Sequence, residues 1–176
     1  MGENTVLDSL VDENVELVRS GVRVIGSAPA ELYRDGHDRI ASGGVGRHFR
    51  HVLEFYDCLL HCGDGTVDYQ ARRRDPRVER DAGYAAEAAG RIVTRLDALR
   101  TASGDRVLTV ASEVHDRSGA PIQVRSSLAR ELAVLASHTI HHYAIVAILL
   151  RQGGVTIPRD FGVAPSTLRY LASREA

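Results

Sequence analysis

The 176-residue chain holds 22 arginine-plus-lysine residues against 23 acidic ones, a formal net charge of −1, with 44% hydrophobic and 26% charged residues. That length and balance predict one globular domain over residues 1–176 with an ordinary buried core. Every one of the cations is arginine, so Schiff-base and pyridoxal chemistry and a Walker A phosphate loop, all of which need a lysine, are excluded.

The near-zero net charge offers no basic field for nucleic acid, and no stretch reads as the ~20 apolar residues of a membrane span. Met1 to Leu10 shows neither a basic start nor an apolar signal, and Cys58 and Cys62 cannot build a disulfide framework, so a reducing cytoplasm is expected. GxSxG is absent, and no glutamate precedes a histidine by three residues, which removes the nucleophile elbow and the ligand pairs of di-iron bundles.

From Thr5 to about Ile25, apolar residues recur at three- and four-residue steps and predict a long first helix. The stretch from Gly26 to Ser42, with Pro29 and Asp35–Gly36, reads as a connection with a short helical turn after Pro29. Val45, His48, Phe49, Val52, Leu53, Tyr56, Leu59 and Leu60 share one face of a second helix that begins near Ser42 and ends before Gly63. Gly63 to Arg80, rich in arginine and turn residues, predicts an ordered crossing loop.

Asp81 caps a third helix with a stripe of Ala85, Ala88, Ala89, Ile92, Val93, Leu96 and Leu99. Partial alternation over Arg106 to Val114 and Ile122 to Val124 predicts a β-hairpin. Ser126 or Ser127 caps a fourth helix that stops at Gly153 and Gly154, and a short helical signal follows from Ser166. Four long amphipathic segments make the expected class all-α, a four-helix bundle with a small β-hairpin before the last core helix.

Histidine is the unusual residue, eight copies and clustered. His138 and His142 fall at the centre of the fourth helix's apolar face, and an i, i+4 pair stands roughly 5–6 Å apart, close enough for two imidazole nitrogens to meet one metal ion at ~2.1 Å. A third ligand must come from the second helix, where periodicity slightly favours His48 over His51. His141 lies off the centre of its face, while His37, His61 and His115 sit in turns or helix ends and read as solvated.

The stretches SHTIHHYAIVAILLRQGG (137–154) and SGGVGRHFRHVLEFYDCLL (42–60) resemble the DinB-like superfamily of metal-binding four-helix bundles, which includes YfiT-type hydrolases and bacterial low-molecular-weight thiol transferases. The register of Val45, Phe49, Val52 and Glu54 around His51 matches that pattern, so the resemblance implies His51, His138 and His142 as ligands to one divalent ion, zinc, nickel or iron, with His48 in reserve. It further implies a thiol transferase or hydrolase acting on a small molecule. The alternative from another class is a non-catalytic, stress-associated metal-binding or interaction protein, with a homodimer through a helical face kept open.

Around that site, Glu131 on the inward face reads as an ion-pair partner of an arginine or an acceptor for an imidazole N–H, and His141 as a neighbour of the ligands. Arg72, Arg73 and Arg74, beside Tyr69, are candidates for a substrate carboxylate or phosphate, with a solvated charge run as the alternative, Arg47 is a further candidate for a carboxylate on an external thiol, and the glycines of Ser42 to Gly46 either hold an anion or permit close packing. Cys58 and Cys62 read as small apolar fillers.

Overall fold

A computed structural model describes residues 3–35, 44–101 and 104–175. Among these residues seven α-helices and three strands run in the order α1 (Glu3–Ile25), α2 (Ala30–Arg34), α3 (Val45–Leu60), β1 (Thr66–Val67), α4 (Pro76–Arg80), α5 (Ala82–Ala98), β2 (Val107–His115), β3 (Pro121–Ser127), α6 (Leu128–Gln152) and α7 (Pro165–Glu175). The chain is mostly helical, with one small sheet.

The helix starts follow from side chains that accept otherwise unpaired N–H groups. The Asp75 carboxylate accepts from Arg77 N–H with Pro76 in the first turn of α4, Asp81 from Tyr84 N–H at α5, and Ser127 from Arg130 N–H at α6. The long helices α1, α3, α5 and α6 meet as a closed set, each of α1 and α3 packing on both α5 and α6. Their shared core contains Val11, Val15 and Val18 from α1, Phe49, Val52 and Leu59 from α3, Ala89, Ile92 and Leu96 from α5, and Leu132, Leu135, Val146 and Leu149 from α6.

One buried polar group ties three of these helices together. Asn14 donates to the carbonyls of Leu10 (2.7 Å) and Leu132 (3.1 Å), and its side-chain oxygen accepts from the Tyr56 hydroxyl at 2.7 Å. Thr139 in turn donates to the Tyr56 oxygen at 3.2 Å, so no member of the network is left unpaired in an apolar setting. Close helix contact elsewhere depends on glycine: a Cβ on Gly46 would collide with the Glu79 carbonyl and stand 2.7 Å from Tyr33 Cε1. That contact supports the packing role for the glycine-rich start of α3; Ser42 and Gly43, like His37, lie outside the described residues.

The hairpin forms where alternation predicted it, with Val107 opposite Ser127 and Val110 opposite Val124, but it belongs to a three-stranded sheet in which β1 pairs parallel with β2. The crossing loop is likewise more ordered than predicted, holding β1, a 3-10 turn at Tyr69–Ala71 and α4. Both are too short to imprint a period on the sequence. A further difference concerns α6, which by length and composition alone would suffice to cross a membrane, contrary to the sequence reading. Here Leu128, Leu132, Leu135, Val146, Leu149 and Leu150 spend that apolarity on the helical core.

Candidate metal centre

Two helices bring four imidazoles together. From α3 come His48 and His51, one on each side of the Phe49 turn, and from α6 come His138 and His142, one turn apart. His51 Nε2 stands 3.1 Å from His138 Nε2, and His142 Nε2 stands 3.2 Å from His138 Nε2. One ring nitrogen from each of His51, His138 and His142 lies within 4.8 Å of the others, with all three side chains half-buried. His48 stands behind this trio: its Nδ1 is 3.0 Å from His142 Nδ1.

Protons alone satisfy this arrangement poorly. Each ring nitrogen is either one N–H donor or one lone-pair acceptor, and His138 Nε2 would have to serve two neighbours at once. His138 Nδ1 and His48 Nε2 are buried with no hydrogen-bond partner among the described residues. A cation at the focus of the three Nε2 atoms would use all three lone pairs and place the protons on Nδ1, where His142 can donate to His48. The donor set therefore fits a divalent ion.

The electrostatics push the same way. Burial lowers the His142 pKa to about 3 and that of His51 to about 4, reinforced in each case by neighbouring imidazoles, and Arg72 and Arg50 add to the effect on His51. Burial is also the leading cause lowering His48 and His138. The cluster is thus neutral at pH 7, the protonation state in which imidazole is a metal ligand.

An aromatic wall closes one side. The Phe55 ring lies 4.6 Å from that of His51 and 4.5 Å from that of His138, and Tyr69 stacks on Phe55 at 4.8 Å with an 11° interplanar angle. The Arg72 guanidinium sits 5.1 Å over the same Phe55 ring. Sequence reasoning passes over Phe55, although it follows His51 by four residues and so has to share its face.

The remaining candidates disperse. Glu131, 2% exposed, contacts no imidazole; it accepts from Tyr69 OH (2.8 Å), Ser126 Oγ (2.5 Å) and Arg130 Nη1 (2.8 Å), which anchors the Tyr69 turn to α6. His141 is exposed, its ring 5.3 Å from that of His142. Arg74 donates to the Gln70 carbonyl at 3.1 Å, Arg73 turns to a cavity beside α5, and Arg47 is exposed at the start of α3. Only Arg72 of the run thus borders the histidines. His61 and His115 are exposed against Asp57 and Glu113, and Cys58 and Cys62 are free thiols whose pKa burial raises.

Fold and site together define a helical protein with a three-imidazole cluster between two core helices. Its similarity to known proteins points elsewhere than the histidine motifs did: it is 30% identical over 106 residues to FK506-binding protein 5 of Rhizopus delemar, a stretch that is 60% of this chain and 28% of that protein. The chain therefore spans little more than a quarter of the relative. No protein-family model and no solved structure matches it.

That similarity overturns the DinB-like assignment, and with it the metal-dependent thiol-transferase or hydrolase reading, the preference for zinc or nickel, and the stress-associated alternative. The physical reason is the low information in the motif. Three histidines at helical spacing specify a face, and any pair of packed helices can present one.

Proposed function

We propose that this protein is a divalent-metal-binding module in which the Nε2 atoms of His51, His138 and His142 hold one ion. The arrangement of its four long helices reads as a four-helix bundle whose core carries the site. The observation that carries the proposal is the convergence of three Nε2 atoms, 3.1 and 3.2 Å apart in the two contacting pairs, in a neutral and half-buried cluster where His138 Nε2 would otherwise have to serve two neighbours at once. Bound there, an ion would offer positive charge and free coordination positions to an external oxygen or nitrogen donor. Of the chain's own residues, Phe55 and Tyr69 wall the site from water, Arg72 adds a fixed cation at its edge, and His48 holds the His142 ring.

The test is a titration of the purified, chelator-treated protein with cobalt(II) alone, followed by its visible d–d absorption. One equivalent should bind with the intensity of a low-coordinate, imidazole-rich site, and His138→Ala and His142→Ala should each remove that signal. Absence of saturable one-to-one binding to the wild-type chain would refute the proposal.

A second reading rests on the relative, whose name states that it binds FK506. A cleft of about 530 Å³ between α1 and α6, lined by Leu17, Val24, Ile140, Tyr143, Phe161 and Leu168, has the size and apolar character of a small-molecule site. Titrating FK506 against the tyrosine fluorescence of this tryptophan-free chain tests it, and a flat trace at micromolar ligand would exclude it.

A further inference from the structure

A second cavity, of about 330 Å³, lies on the opposite side of α3 from the α6 histidines, between α3, α4 and α5. Its floor is apolar, formed by Leu53, Val78, Ala88 and Ile92, and its rim carries Arg73, Arg91 and Arg95. Three acids, Glu54, Asp57 and Asp75, also line it, and each faces a cationic or hydrogen-bonding partner of its own. Glu54 accepts from the Asp75 N–H and faces Arg50 and Arg72, while Asp75 forms a two-pronged pair with Arg77 (2.8 and 3.1 Å) and also accepts from Tyr84 OH at 3.1 Å. Asp57 is paired with His61 at 3.0 Å.

The three arginines are not engaged in this way. Arg73 and Arg95 have no ion-pair or hydrogen-bond partner among the described residues, and Arg91 has only the Tyr84 ring, 5.7 Å from its guanidinium. Arg91 and Arg95 stand one turn apart on α5, a spacing at which like charges repel each other. Arg73 is set above them by a crossing segment whose next residue, Arg74, adopts φ +53° and is fixed by its own bonds to the Gln70 and Arg72 carbonyls. Three guanidinium forks around one cavity are matched by an oxyanion with several acceptors, and an apolar floor by the body that carries it.

We propose that this cavity binds a small organic phosphate monoester, its phosphate held by Arg73, Arg91 and Arg95 and its apolar part against Ala88 and Ile92. The inference is independent of the metal site.

Isothermal titration of the full chain at low ionic strength tests it, with phenyl phosphate and inorganic phosphate as the probes. Phenyl phosphate should bind one-to-one and more tightly than inorganic phosphate, weakening at least tenfold in Arg73→Gln and in Arg95→Gln and not in Arg159→Gln, an exposed arginine elsewhere. These are surface changes, and far-ultraviolet circular dichroism verifies the fold of each variant. Equal affinity for the two probes, no saturable binding, or Arg95→Gln indistinguishable from wild type would each overturn the proposal.

Discussion

Lowering the pH should destabilise the metal-free protein well before its carboxylates titrate. In the folded chain the pKa of His51 is about 4 and that of His142 about 3, against about 6.5 for a solvated imidazole. The unfolded chain therefore binds more protons below pH 6.5, and stability falls with falling pH through the window from 6.5 down to the folded values. Each group contributes about 1.4 kcal/mol per pH unit there, so between pH 6.5 and pH 5 one histidine accounts for about 2 kcal/mol and the pair for about 4. Partial solvent access and mutual repulsion among the rings reduce this to about 2–4 kcal/mol.

His48 and His138 act with the same sign. Asp75, whose pKa is lowered by its bonds to Arg77, contributes only below its unfolded value near 3.8, and Glu54, raised by burial above its ordinary 4.5, works in the opposite direction at and above about pH 4.5, so it can only offset the loss from the imidazoles. A net loss of stability from pH 6.5 to 5 therefore has the sign of the imidazoles and not of Glu54. Urea unfolding followed by circular dichroism should show the midpoint dropping across it, the drop shrinking in His142→Leu, and saturating cobalt(II) raising stability at pH 7. A midpoint that is flat or rises from pH 6.5 to pH 5 in the wild-type chain would refute the burial argument.

Three further outcomes are expected. His48→Leu should weaken cobalt(II) binding about 10- to 100-fold because His142 loses the acceptor that holds its Nδ1 proton, and His48→Asn should restore part of that loss in the same visible titration. Glu131→Ala should cost about 3 kcal/mol in urea unfolding, since it strands the Tyr69 and Ser126 hydroxyls in a buried site, and it should speed amide exchange across 66–71. Gly21→Ala should destabilise by about 1–3 kcal/mol despite its better helix propensity, because the new methyl meets the Tyr143 hydroxyl and stands 2.8 Å from Phe49 Cε1; Tyr143→Phe, which removes a buried hydroxyl without a partner, should be near neutral alone and relieve part of that cost in the double variant.

Much of the architecture could be read from local pattern. Apolar residues three and four apart place α1, α3, α5 and α6 within a few residues of their observed ends, and Asp81 and Ser127 mark two of the starts because a short side-chain acceptor suits an exposed N–H there. Alternation located the hairpin, since pleated strands show their faces at every second residue. The inward direction of His138 and His142 is equally local, as a helix turns 100° per residue whatever surrounds it.

The rest depended on how the elements meet. Periodicity ranked His48 over His51 because it sees one helix at a time, whereas α3 crosses α6 so that His51 faces both partner imidazoles and His48 reaches only the back of His142. Glu131 reads as inward from its spacing, yet its partners Tyr69 and Ser126 come from segments 62 and five residues away, one of them in a turn too short to carry a period. The run Arg72 to Arg74 looks like one patch in sequence, but the positive φ at Arg74 and the anchoring of Arg72 over Phe55 send its members to separate surroundings. Local chemistry chose the helices and the faces they bury; which side chains share a site was decided by the crossing of α3 with α6 and by a segment that closes over them, contacts whose partners lie far apart along the chain.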